Sequence, residues 1–138
     1  MSDYFTWIPE KYELQVPDMD REHQILIGHM NQLHDLYSRH APRNQLALAL
    51  DGLARYTVKH FQDEEAYMAR THYRDLASHK QIHANLLRKV GAHVSAFQAS
   101  GTLNEEFFSF LRMWLKAHIC GIDSQYARPQ PALAGEAQ

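Results

Sequence analysis

Apolar side chains recur at helical spacing in four separate stretches of the chain. In the first stretch, alternating steps of four and three positions link Met19, His23, Leu26, Met30, Leu33 and Tyr37. This alternation is typical of a helix that packs in a bundle, and Pro42 marks where it must have ended. Two further stretches of the same kind run from about Asn44 to Arg70 and from about Arg74 to Ser100.

The break after the third stretch carries signals for a helix end and a helix start. Gly101 stands where a left-handed residue commonly closes a helix. Thr102 and Glu105 have the spacing of a capping box, which predicts that the fourth helix starts there. Its apolar stripe is expected to run from Leu103 to His118.

Four amphipathic helices with short connections predict an all-α fold, an up-down-up-down antiparallel four-helix bundle with an N-terminal arm. The arm covers residues 1–17, and its apolar Phe5, Trp7 and Ile8 indicate that it lies against the bundle. The bundle covers about residues 18–127, and the tail 129–138 has too little apolar content to pack, so we expect it to be mobile. Residues 1–138 are therefore predicted to form a single domain.

Composition excludes several classes of protein. The formal charge of -2, without any run of like charge, gives no electrostatic reason to expect binding to nucleic acid or to an anionic membrane. Neither a secretion signal nor an apolar stretch long enough to cross a membrane is present, so we predict a soluble, cytoplasmic protein without membrane insertion. The single cysteine, Cys120, excludes an internal disulfide, a four-cysteine zinc site and a CxxCH haem attachment.

Histidine occupies apolar stripe positions on all four predicted helices. Five of the ten histidines do so, namely His23, His60, His79, His83 and His118. In an antiparallel bundle all of them fall at the same end. A lone buried histidine is usually an ordinary core residue, but each imidazole left without a partner costs about 1 to 3 kcal/mol, so a cluster needs compensation. We expect a shared ligand to satisfy them together.

Two carboxylates complete the candidate site. Glu64 lies one turn beyond His60 and belongs to the same layer. Asp123 follows His118 by five residues, so we predict local unwinding or a π-type turn at 120–122 that brings it inward. Such a set is too large for one first-row ion and suits two ions. If oxygen ligands bridge the ions equally, five histidines divide as three and two, which leaves one ion with an open position for a small ligand.

The motifs that carry these residues resemble the hemerythrin family, in particular its single-domain bacterial members. They are "DMDREHQ", "HFQDEE", "HKQIH" and "WLKAHICGID", and the resemblance covers about residues 5–126. It implies a non-haem di-iron centre of two iron ions with an oxo or hydroxo bridge. By this resemblance one iron is held by His79, His83 and His118 and the other by His23 and His60, with Glu64 and Asp123 as bridges.

The resemblance also implies a function, which is reversible dioxygen binding by an oxygen carrier, storage protein or sensor rather than an enzyme. By the same resemblance, dioxygen is expected to bind at the open position of the iron held by His23 and His60. By analogy its pocket is lined by Leu26, Phe61, Trp114, Leu115 and Ile119, and the same residues also suit an ordinary bundle core. The expected partners are dioxygen and small anions such as azide, and a sensor of this size would also need a protein partner.

Other metalloprotein classes fit the sequence less well. A ferritin-like oxidase needs two Glu-x-x-His motifs, which are absent, and a zinc protease needs glutamate where "HKQIH" has Lys80. Bis-histidine haem binding would leave Glu64 and Asp123 unused, and a purely structural metal site would have a closed coordination shell. The open alternative is a di-iron redox enzyme acting on peroxide or nitric oxide. Binding is favoured because the motifs show no general acid or base beyond the ligands.

Five histidines remain outside this set. His34 and His93 approach the stripes at the far end of the bundle, where a polar pair or a second metal site is a minor alternative to ordinary, partly exposed histidines. His29, His40 and His72 are expected to face solvent.

Overall fold

A computed structural model describes residues 4–12, 14 and 16–119 of the protein. It contains the helices α1 (Pro9–Tyr12), α2 (Pro17–Ser38), α3 (Arg43–Arg70), α4 (Leu76–Ser100) and α5 (Glu105–Ala117). The described residues contain no strand, so the predicted all-α class is confirmed. None of these helices is long and apolar enough to cross a membrane.

Consecutive long helices run in opposite directions. His29 lies beside Gly52, whereas His23, earlier in α2, contacts Glu64, later in α3. The same reversal recurs from α3 to α4 and from α4 to α5, in the contact pairs Arg43–Gln98, Glu65–His83, His93–Phe107 and His83–His118. The four long helices therefore form the predicted antiparallel up-down-up-down bundle.

The N-terminal arm packs on this bundle. Phe5 and Tyr12 are buried and belong to the main apolar core. The amide of Phe5 donates to Asn31 Oδ1 at 2.8 Å, and Asn31 Nδ2 donates back to the Phe5 carbonyl at 2.8 Å. Further along, the amide of Leu14 donates to Asp20 Oδ1 at 2.7 Å. These bonds give the buried Asp20 and the half-buried Asn31 of α2 partners in the arm.

The start of α5 differs from the prediction. Gly101 is left-handed, with φ of 75°, as expected for a helix cap. The helix itself begins at Glu105, and the side chain of Asn104 accepts the Phe107 amide at 2.9 Å. The predicted capping box at Thr102 is therefore wrong, because Asn104 lies nearer the first turn and its short side chain reaches that amide. Leu103 consequently precedes the helix.

Histidine takes the position of a capping glycine at two helix ends. His40 after α2 and His72 after α3 have φ of 56° and 57°. At each end two carbonyls of the last turn accept the amides of the histidine and the following residue, as in His40 N to Tyr37 O at 3.1 Å and Ala41 N to Leu36 O at 2.9 Å. This is the Schellman arrangement, and it requires a left-handed residue. Both histidines are exposed, as predicted.

Replacing His40 by glycine should stabilise the protein. A side chain in the left-handed region costs about 1 kcal/mol that glycine avoids, and the exposed imidazole loses little packing. We expect chemical unfolding of His40→Gly to show a free energy of unfolding higher by up to about 1 kcal/mol. Arg39→Gly is the matched control, because Arg39 has φ of -89° and gains nothing from glycine. A His40→Gly variant less stable than the parent would contradict the argument.

Candidate metal centre

Five histidines and one glutamate meet in the interior at one end of the bundle. They are His23 from α2, His60 and Glu64 from α3, His79 and His83 from α4, and His118 directly after α5. Each is between 0% and 3% exposed. The sequence predicted all of these residues, and the structure brings them together.

Glu64 lies between two groups of histidines. Its Oε2 is 3.2 Å from Nε2 of His23 and 3.2 Å from Nε2 of His60. Its Oε1 is 3.1 Å from Nε2 of His83 and 3.8 Å from Nε2 of His118. One carboxylate thus presents a separate oxygen to each group, as a bridging ligand between two metal positions does.

The spacing of the nitrogen and oxygen atoms fits metal ligation. Ligand atoms of His79, His83, His118 and Glu64 lie within 4.8 Å of one another, and those of His23, His60 and Glu64 do the same. Nε2 of His83 and Nε2 of His118 are 3.2 Å apart. Two ligands at about 2.1 Å from one ion, at an angle near 90 to 110°, are separated by about 3.0 to 3.4 Å. The spacing of these donor atoms therefore fits a metal ion with metal–ligand distances of about 2.1 Å.

The predicted second carboxylate, Asp123, lies outside the described residues. The π-type turn predicted for 120–122 lies outside them too. Residues 118 and 119, directly before it, form a π-type turn at the end of α5. His118 therefore enters the centre where the regular helix has already widened.

Opposing forces act on the charge of Glu64. Complete burial alone raises the pKa of this carboxyl, but the charge of His60 lowers it, together with hydrogen bonds from His118, His23 and His60 itself. The imidazoles prevail and hold the pKa of Glu64 well below its ordinary value. Glu64 is therefore an anion that requires positive charge on its neighbours or between them.

Two further carboxylates contact the histidines from outside the centre. His60 donates from Nδ1 to Glu22 Oε1 at 2.8 Å, and His83 donates from Nδ1 to Glu65 Oε2 at 2.8 Å. Sequence reasoning missed both. Their only sequence signal is that each adjoins a candidate ligand, Glu22 before His23 and Glu65 after Glu64.

The predicted pocket residues are all buried in the main apolar core, and two of them, Phe61 and Trp114, contact histidines of the cluster. Leu26, Phe61, Trp114, Leu115 and Ile119 are at most 7% exposed. The ring of Phe61 stacks on His83, with centroids 3.8 Å apart and planes at 2°, and it meets Trp114 edge-on at 5.9 Å. An open groove of about 620 Å³ between α4 and α5 is lined in part by Trp114 and His118.

The other histidines serve different purposes. His34 stacks on Tyr4 with centroids 4.0 Å apart, and His93 packs on Phe107 at 5.0 Å. Within the described residues, neither joins a group that could hold a metal ion. The expectation that His29 faces solvent is wrong, because it is half-buried against Tyr56 and burial lowers its pKa.

Comparison with known proteins shows to which family the chain belongs. Residues 15–128 match the model of the hemerythrin HHE cation-binding domain. The chain belongs to the hemerythrin family. The resemblance in the sequence motifs is thereby confirmed.

Relatives of this hemerythrin align with it along most of their lengths. It is 31% identical over 122 residues to a bacteriohemerythrin of Methylococcus capsulatus, covering 88% of this chain and 92% of the relative. It is 30% identical over 122 residues to a myohemerythrin of Riftia pachyptila, covering 88% and 90%. A crystal structure of wild-type hemerythrin superposes with a TM-score of 0.84 at 30% identity, covering 90% of this chain and 95% of that one.

Replacing Glu64 by glutamine should change how the metal-free hemerythrin responds to acid. A carboxyl whose pKa is depressed by folding stabilises the protein above its unfolded pKa of about 4.3, and this contribution is lost as the pH falls below that value. Glutamine does not titrate. We therefore expect the free energy of unfolding, measured in chelator between pH 6 and about pH 3, to fall less steeply for Glu64→Gln than for the parent.

The exposed Glu106 supplies the control. Glu106→Gln should keep the slope of the parent, since that side chain lies outside the histidine cluster. Parallel curves for Glu64→Gln and the parent would show that the buried carboxylate carries no such linkage.

Proposed function

We propose that this hemerythrin binds dioxygen reversibly at a di-iron centre, as an oxygen-binding protein rather than an enzyme. The observation that carries the proposal is the orientation of Glu64, whose two oxygens face different histidine groups. A site for a single ion would not need a carboxylate directed to both sides. Membership of the family supports iron as the metal.

The two groups of histidines suggest how the irons are shared. In this proposal His79, His83 and His118 hold one iron, His23 and His60 hold the other, and Glu64 with Asp123 bridges them. Iron held there would supply the reversible electron transfer that dioxygen binding needs, one electron from each ion. The group with fewer histidines would leave a position open, so dioxygen or a small anion such as azide would bind on the side of His23 and His60.

Apolar side chains protect such a position from water. Leu26, Phe61, Trp114, Leu115 and Ile119 are proposed to line it. Their burial in one core, in which Phe61 and Trp114 contact histidines of the cluster, supports this role. Reversible binding needs a dry pocket, because water and proton donors promote loss of reduced oxygen species and leave ferric iron behind. A cytoplasmic location and, for a sensing role, a protein partner remain predictions from the sequence.

Iron content and colour test the function directly. The purified protein should contain two irons per chain, and its diferrous form should gain a visible absorption band on mixing with air-saturated buffer. A nitrogen flush should remove the band and restore the original spectrum. Stopped-flow mixing followed by repeated cycles measures both the rate and the reversibility. A band that never reverses, or a single iron per chain, would refute the proposal.

Shortening Leu115 should shorten the lifetime of the oxygenated protein. Leu115→Ala opens space in the proposed pocket and admits water, so we expect autoxidation to be several-fold faster. Leu111→Ala is the matched control, because Leu111 is 0% exposed and lies one turn earlier on α5. Both changes remove the same buried atoms and cost about 2 to 5 kcal/mol of stability. Equal autoxidation rates in the two variants would show that faster autoxidation results from lost stability alone and not from the opened pocket.

A further inference from the structure

Glu22 and Glu65 each bind one histidine of the metal centre through the ring nitrogen that is not directed to Glu64. Glu22 accepts Nδ1–H of His60 and Glu65 accepts Nδ1–H of His83, each at 2.8 Å. The two imidazoles are 1% exposed, while the side chains of Glu22 and Glu65 are 12% and 26% exposed. These are short, charge-assisted bonds to buried rings, which makes them strong.

The two bonds follow the same pattern across different helices. Glu22 precedes His23 on α2 but reaches across to α3. Glu65 follows Glu64 on α3 but reaches across to α4. Each carboxylate therefore fixes a ligand on the next helix along the chain, and one such bond serves each histidine group.

The bonds determine which ring nitrogen is available to a metal. When Nδ1 donates its proton to a carboxylate, Nε2 of the neutral ring presents a lone pair. In both residues Nε2 is the atom directed to Glu64, at 3.2 Å for His60 and 3.1 Å for His83. A negatively charged acceptor also makes the imidazole a stronger electron donor to its metal.

The surroundings of Glu22 include a nearby cation. Lys59 Nζ lies 3.7 Å from Glu22 Oε2 and donates to Asp63 Oδ2 at 2.6 Å. The lysine is 60% exposed, so its effect on Glu22 is screened by solvent. The bond between Glu22 and His60 thus connects the interior to a charged surface cluster.

We propose that Glu22 and Glu65 are positioning residues that act on different irons, Glu22 through His60 on the iron with the open position and Glu65 through His83 on the other. This inference rests on the proposed function. It adds that each iron has its own outer carboxylate, either Glu22 or Glu65. A change to one of these side chains can therefore alter the iron affinity and the reduction potential on one side of the centre.

Alanine and glutamine variants separate the hydrogen bond from the charge. Glu22→Ala and Glu65→Ala remove the acceptor, and each should weaken the binding of one of the two irons by about 10- to 100-fold. Glu22→Gln and Glu65→Gln keep an oxygen that accepts Nδ1–H, so they should restore most of this affinity. Because glutamine is neutral, these variants should still raise the reduction potential of the centre.

Three measurements distinguish the two sides. Anaerobic titration of metal-free protein with ferrous iron gives the stepwise affinities. Mössbauer spectra of the iron-loaded protein should show the signal of one iron shifted in the Glu22 variants and that of the other iron shifted in the Glu65 variants. Azide affinity of the ferric form should change several-fold in Glu22→Gln and stay near the parent value in Glu65→Gln.

Asp51→Asn provides the control, because Asp51 is an exposed carboxylate on α3 that pairs with Arg55 away from the centre. It should leave all three readouts unchanged. Variants that shift both iron signals together would overturn the division of roles, and unchanged affinities and spectra would overturn the positioning role itself. If the parent protein fails to bind two irons, the proposed function fails first. If an alanine variant does not fold, the Mössbauer spectrum and the azide affinity of the glutamine variants still test the positioning role.

Discussion

A buried carboxylate surrounded by imidazoles is the constraint on which this structure depends. Glu64 is 0% exposed and lies within 3.2 Å of Nε2 atoms from three helix-borne histidines, His23, His60 and His83. An isolated anion at such depth is strongly disfavoured, so it persists only with compensating positive charge. Without metal, the charge of His60 and hydrogen bonds from neighbouring imidazoles provide this compensation. Bound metal would supply it instead, and the same geometry that stabilises the anion would serve as a coordination site.

The sequence revealed the histidine cluster because its members occupy stripe positions, where apolar residues are usual in a bundle. Histidine at stripe positions on four helices, with Glu64 one turn from His60, leaves little choice about where those side chains meet. The fold followed from the same periodicity. The start of α5 did not, since Thr102 and Asn104 both suit a cap and only the actual path of the connection after Gly101 decides between them.

The outer carboxylates could not be predicted in the same way. Glu22 and Glu65 lie on helix faces next to the ligands, where a charged residue is normally exposed, and their partners come from other helices. Periodicity indicates which residues share a helix face. It does not predict the rotation and offset of neighbouring helices precisely enough to identify a hydrogen bond between them. The half-buried position of His29 beside Gly52 and Tyr56 has the same origin.

The distribution of the candidate ligands over every long helix has a mechanical consequence. Any opening of the bundle at this end, by the outward movement of a single helix, would detach at least one imidazole from the cluster. Bound ions would therefore act as a cross-link between helices that are otherwise held together by packing, short connections and a few side-chain hydrogen bonds. Slow local opening, rather than diffusion through the interior, would then set the rate at which such ions escape.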